Sequence, residues 1–87
     1  MQILKVSSTS KPLSVAGAIV VALNENNGKV EIHAIGAGAV NQAVKAIAIS
    51  RGIIATSGKD IVCIPAFCDI KFNGIEKTGI NLIVKTI

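Results

Sequence analysis

The stretch KVEIHAIGAGAVNQAVKAIAISRG, residues 29 to 52, changes its hydrophobic period halfway along, and that change decides the fold. From Lys29 to Ile35 the residues alternate, with Val30, Ile32 and Ala34 on one side and Glu31, His33 and Ile35 on the other. This is the two-residue period of a strand with one core face. Gly36 and Gly38 predict a tight turn. Beyond it, Val40, Ala43, Val44 and Ile47 fall at helical spacing, so a helix is predicted from about Ala39 to Arg51, closed by Gly52. Asn41, Gln42 and Lys45 lie on its other side, where Ile49 adds an apolar edge.

Working outward, Ile3 to Val6 reads as a short strand, and the Ser7, Ser8, Thr9, Ser10 cluster supplies hydroxyls for a turn and a helix cap. Pro12 suits a first helical turn, and Asn27 and Gly28 suit a left-handed stop, so a helix is predicted from Pro12 to about Asn26. Its stripe of Ala16, Ile19, Val20 and Leu23 is matched by Val15, Ala18, Val21 and Ala22 on the opposite side. A helix apolar on two sides predicts burial against more than one neighbour, and hence an oligomer. Downstream, Ile53 and Ile54 lead to a long strand, Ile61 to Phe72, interrupted in rhythm by Pro65. Asn73-Gly74 predicts a type I′ hairpin pairing Phe72 with Ile75 and Lys71 with Glu76, and a last strand from Ile75 to Thr86. The order β-α-β-α-β-β gives an α+β fold, a two-layer sandwich with both helices on one face of a mixed four-stranded sheet. Residues 1–87 are expected to form one domain.

Composition narrows the functions open to such a domain. Hydrophobic residues make up 51% of the 87 residues and charged residues 16%, which argues against disorder. A domain of this size buries only about 60% of the surface its unfolded chain exposes, so an oligomer again accommodates the excess. Aromatic content is 2%, with Phe67 and Phe72 alone, which removes most stacking platforms. Nine Lys and Arg against five Asp and Glu give a net charge of +4, favouring anionic partners. The apolar run Val15 to Leu23 is too short to span a bilayer, so no membrane association and a cytoplasmic location are expected. Cys63 and Cys68 lie five apart on one strand, on opposite faces, and are expected to be free, buried thiols.

The motifs point to binding rather than catalysis. Gly36-Ala37-Gly38 stands where a dinucleotide loop would, but Asn41 occupies the third glycine position and that fingerprint fails. His33 has no nucleophile beside it, and Asp60, Asp69 and Glu76 show neither acid–base pairing nor metal-ligand spacing, so no enzyme, metal or cofactor is expected. A helix N-terminus still offers N–H groups to an anion. The candidate nucleic-acid contacts are therefore Gly36, Gly38, Asn41 and Gln42 at the second helix, with Lys11 at the entry to the first helix and Lys45 beyond.

Ile3-Leu4-Lys5-Val6-Ser7, Ser14-Val15-Ala16-Gly17-Ala18, Ile35-Gly36-Ala37-Gly38-Ala39-Val40-Asn41-Gln42-Ala43-Val44-Lys45-Ala46 and Ile64-Pro65-Ala66-Phe67 together resemble the stage V sporulation protein S family over essentially the whole chain. The resemblance implies a small, non-enzymatic cytoplasmic regulator of sporulation, acting around spore septation and coat assembly. More distantly the chain resembles the archaeal chromatin protein Alba, which has the same element order. That likeness implies a dimeric or tetrameric nucleic-acid binder, with Lys11-Pro12 at the position of Alba's Lys-Pro, where the lysine faces nucleic acid, and Gly36 to Ala46 at its strand-to-helix segment. Ala37 replaces a common arginine of Alba, and the hairpin at Asn73-Gly74 is expected to be too short for Alba's basic arms, so binding is expected to be weak or specialised. Two other readings stand beside it: a structural or protein-interaction module that recruits sporulation proteins, and a site for a small anion at Gly36 to Gln42.

Overall fold

The computed structural model describes residues 2–87. The elements follow in the order β1 (Ile3–Val6), α1 (Pro12–Glu25), β2 (Lys29–Ala34), α2 (Ala37–Ala55), β3 (Ile61–Phe72) and β4 (Ile75–Thr86). They form one four-stranded sheet of order β1-β2-β4-β3, in which β1 and β2 are parallel and the other pairs antiparallel. The α+β sandwich of two helices on a mixed sheet is as the sequence predicts. Both helices pack on the face carrying Val30, Ile32, Leu82 and Val84, and these join Ile19, Ala22 and Leu23 of α1 and Ala43, Ala46 and Ile54 of α2 in a single core.

Local chemistry explains most boundaries. Pro12 opens α1 behind Lys11, whose extended backbone (φ −85°, ψ 120°) makes it the N-cap residue. The serine cluster caps nothing, contrary to expectation. Ser7 N–H donates to Ser10 Oγ at 2.9 Å, Thr9 N–H donates to Ser7 Oγ at 3.3 Å, and the hydroxyls thus close the turn on itself. At the far end Asn27 and Gly28 take φ of 54° and 78°, and the Gly28 N–H reaches the Leu23 carbonyl at 2.9 Å, ending α1 as predicted.

α2 departs from expectation at both ends and on its face. It begins at Ala37 and continues through Gly52 to Ala55. The stop lies further on, where the Ser57 and Gly58 N–H groups bond back to Ile54 and Ala55. Its buried line is Ala39, Ala43, Ala46, Ser50 and Ile54, one position earlier than the predicted stripe, and Val44 is 51% exposed. The reason is close helix packing. Small residues let α2 approach α1 until the buried Ser50 hydroxyl lies 3.3 Å from the Ala16 carbonyl, besides its 2.8 Å bond to Ala46. Both thiols are free but neither is buried: Cys63 is exposed and Cys68 half-buried, both on the edge strand β3. That edge position also accommodates Pro65.

The hairpin strands have the bounds the sequence predicts. The turn is two residues, the strands are twelve residues each, and β2 pairs with β4 only as far as Ala34 opposite Ile80. The pairs from Cys68–Gly79 to Phe72–Ile75 therefore project beyond the sheet as an arm, roughly 16 Å long at 3.3 Å per residue. Asn73 and Gly74 take φ of 52° and 77°, the type I′ geometry read from sequence. A side chain at Gly74 would meet nothing within 4 Å, so Gly74→Val should cost conformational energy alone, roughly 1 kcal/mol or more. Thermal melting should show a loss of about 4–8 °C, and an unchanged midpoint would contradict this strain.

Candidate nucleic-acid interface

Because β1 and β2 are parallel and each runs directly into a helix, the N-termini of α1 and α2 lie at the same end of the molecule. Neither has a capping side chain, and neither has an acidic residue in its first turn. The free N–H groups of two helices thus face that end with their positive dipole ends unopposed.

Two contacts hold this end together. Gln42 Nε2 donates to the Ser10 carbonyl at 2.9 Å, tying α2 to the residue before Lys11. A Cβ at Gly38 would come within 3.0 Å of Ser8 Cβ, so glycine there allows the loop to lie against α2. Gly36 caps α2 with φ 89° and ψ 158°, a conformation that only glycine adopts readily. Lys11 and Lys45 are exposed, and Lys45 follows Gln42 by one turn on the same side of α2.

The six candidate residues do not form one cluster. Gln42 bonds to the β1–α1 loop just before Lys11 and Gly38 lies against Ser8 of that loop, while Lys45 lies one turn further along α2. Gly36 and Asn41 line a cleft on the other side of α2, about 570 Å³ in volume, walled by Val44, Phe67 and Ile80. Gln42 uses its amide donor inside the protein, leaving its carbonyl oxygen as the group not engaged by that bond.

Sequence reasoning passed over Lys5, Lys71 and Lys77, which sit where β1 and the arm converge on the same end. The usable signal was the length of the alternating runs flanking Asn73-Gly74, which exceed what β1 and β2 can pair. Lys77 lies over the Phe72 ring at 5.4 Å, a cross-strand contact that orients its ammonium.

Lys5, Lys71 and Lys77 line one cleft at this end, and Lys11 stands at the entry to α1. Among the described residues the ion pair is Arg51 with Asp60, at 2.8 Å, between the C-terminal part of α2 and the start of β3. The Arg51 guanidinium and the Ile61 N–H hold the Asp60 carboxyl below its usual range. No lysine among the described residues is paired in this way. Partial desolvation pushes both thiols up, with the Asp69 and Glu31 charges adding to the effect at Cys68. Among the described residues no group of three or more His, Cys, Asp or Glu is placed to hold a metal ion. No described helix is long and apolar enough to cross a membrane.

This combination of element order, sheet and helix layer defines an Alba-like α+β domain. The solved structure of Alba from Thermoplasma volcanium matches it with a TM-score of 0.65, covering 97% of this chain and 99% of that one at 17% identity. The chain belongs to the stage V sporulation protein S (SpoVS) family, whose model matches residues 2–87, and its role is accordingly related to sporulation.

Proposed function

We propose that this protein is a non-enzymatic sporulation regulator that binds nucleic acid as a homo-oligomer in the cytoplasm, with residues 1–87 acting as one Alba-like domain. The observation that supports this reading is Lys11 at the uncapped N-terminus of α1, with Lys45 about two turns along the equally uncapped α2 and neither lysine in an ion pair among the described residues. Lysine ammonium groups and free N–H donors are the groups that hold phosphate oxygens, and none of them reads a base edge. Lys11-Pro12 and the Gly36–Ala46 segment resemble the corresponding positions of Alba, which supports the same surface.

The protein-interaction module remains the second reading, and a specific observation favours it. Leu13, Val21 and Phe67 are 72%, 54% and 81% exposed, more apolar surface than a small monomer normally leaves in water. A self-associating protein covers such faces with copies of itself, whereas a recruiting module covers them with other sporulation proteins.

Titration of labelled duplex DNA and RNA at several salt concentrations, with sedimentation of the same samples, tests both readings. A dimer offering about four phosphate contacts should give a log–log salt slope of roughly −3 to −4, with similar affinity for unrelated sequences. Its sedimented mass should exceed the 8.9 kDa of one chain. Absence of salt-sensitive retention at low ionic strength would leave the interaction module in place.

A further inference from the structure

On the open face of the sheet, a cleft of about 420 Å³ lies between the Ser7–Ser10 loop and the base of the hairpin arm. Its size falls within the range of about 300–1,000 Å³ that small-ligand sites occupy. It is not lined by Lys11, Gln42 or Lys45.

Its chemistry is divided in two. Lys5, His33, Lys71 and Lys77 line it together with Ser7, Ser8 and Ser10, and no carboxylate does. Lys5 and His33 are register partners on the parallel strands β1 and β2, so two basic side chains stand side by side on the open face. Lys71 stands opposite Glu76 in the arm yet forms no ion pair with it, and Lys5 and Lys77 are likewise without one among the described residues. Unneutralised cations gathered in a concavity with low-dielectric walls focus a positive potential there. The remaining wall is apolar, made by Ile35, Ile70 and Phe72.

The hydroxyl lip is held in place before any ligand arrives. Ser7, Thr9 and Ser10 bond one another at 3.0–3.3 Å, and Gln42 fixes the Ser10 carbonyl from behind. Phe72 holds the Lys77 ammonium at the cleft. Deeper in the sheet, Asn81 pairs with His33 across β2 and β4, and its buried Oδ1 has no hydrogen-bond partner. It is an acceptor one strand away from the imidazole.

We infer that this cleft binds a nucleotide through its terminal phosphomonoester, with Lys5, Lys77 and the serine hydroxyls on the phosphate and the flat base against Ile35, Ile70 and Phe72. A bare inorganic anion would leave the apolar wall wet, and an uncharged ring would leave the cations without a partner. The phosphomonoester could arrive on a free nucleoside 5′-monophosphate or on the 5′ end of a strand.

The test is a heteronuclear NMR titration of the whole protein with adenosine 5′-monophosphate, adenosine, inorganic phosphate, and a dinucleotide with and without its 5′-phosphate. Saturable shifts are expected at Lys5, Ser8, His33 and Phe72 with the monophosphate, and at least about tenfold weaker binding of adenosine and of phosphate. Equal binding by the 5′-phosphorylated dinucleotide supports the same chemistry from a strand end, and its failure assigns the site to the free nucleotide. Lys5→Ala with Lys77→Ala should weaken the monophosphate about tenfold or more, as should Phe72→Ala, which removes both the ring and its hold on Lys77. A Lys11→Ala, Lys45→Ala variant should bind it unchanged, so this inference and the nucleic-acid reading can fail separately. No saturable shift, equal binding of phosphate alone, or equal binding of the dinucleotide lacking its phosphate would overturn it.

Discussion

Replacing Lys11 and Lys45 together with alanine is expected to weaken duplex binding by roughly 10³-fold at 0.1 M salt. The magnitude follows from counterion release. Each phosphate contact on duplex DNA contributes about 0.9 to the log–log salt slope, so the four contacts of the proposed dimer contribute about 3.6 decades between 1 M and 0.1 M salt. The wild-type slope of roughly −3 to −4 should therefore flatten by most of its value. Stability should change little, because both side chains are exposed and Lys11 caps α1 with its backbone and no side-chain bond. Oligomer mass should be unchanged, since neither lysine lies on an apolar face. Retention of the full slope by the double variant would move the contacts elsewhere, with the arm lysines Lys71 and Lys77 the first to examine.

Ile32→Ala should be the most destabilising single change, at about 2–5 kcal/mol. Ile32 is fully buried, stands between Leu4 of β1 and Leu82 of β4 in the register, and belongs to the same core as Ile19 and Leu23 of α1. Truncation removes apolar contacts on the strand that joins both halves of the sheet, in a core with few large side chains available to collapse into the gap. An 87-residue domain is stable by only about 4–13 kcal/mol, so a large share would be lost. Thermal melting should fall by about 15–25 °C for a loss near 3.5 kcal/mol. A fall of under about 4 °C would show that the core does not rest on β2.

The two ends of α2 show what sequence reasoning reads well and what it does not. The turn at Gly36 was legible because glycines between a two-residue and a 3.6-residue period have one simple use. The buried line was missed because Val44 looks more like a core residue than Ala39 or Ala46, yet alanine is what allows a close helix–helix approach. Gly52 looked like a stop, but a helix packed along its length can carry a glycine whose cost is only about 1 kcal/mol. The hairpin was legible in turn and register, and illegible in reach, because the projection of β3 and β4 depends on where β2 ends.

The candidate site divides in the same way. Sequence identified Lys11, Gly36, Gly38, Asn41, Gln42 and Lys45 as groups suited to an anion, and it placed each helix entry after a strand. It could not separate Gly36 and Asn41, on the cleft beside Phe67, from Gln42, bonded to the loop before Lys11. Nor could it bring Lys5 of β1 together with Lys77 of β4, since that meeting depends on the β1-β2-β4-β3 order.

By itself, the sequence determined the elements, their order, the type I′ turn and the excess of positive charge, because these follow from local backbone preference, side-chain period and composition. The tertiary structure alone decided which helix face is buried, how far the arm extends, and which of the scattered lysines share a surface. Those outcomes rest on contacts between residues far apart in the chain, where packing distance and strand pairing outweigh any local preference.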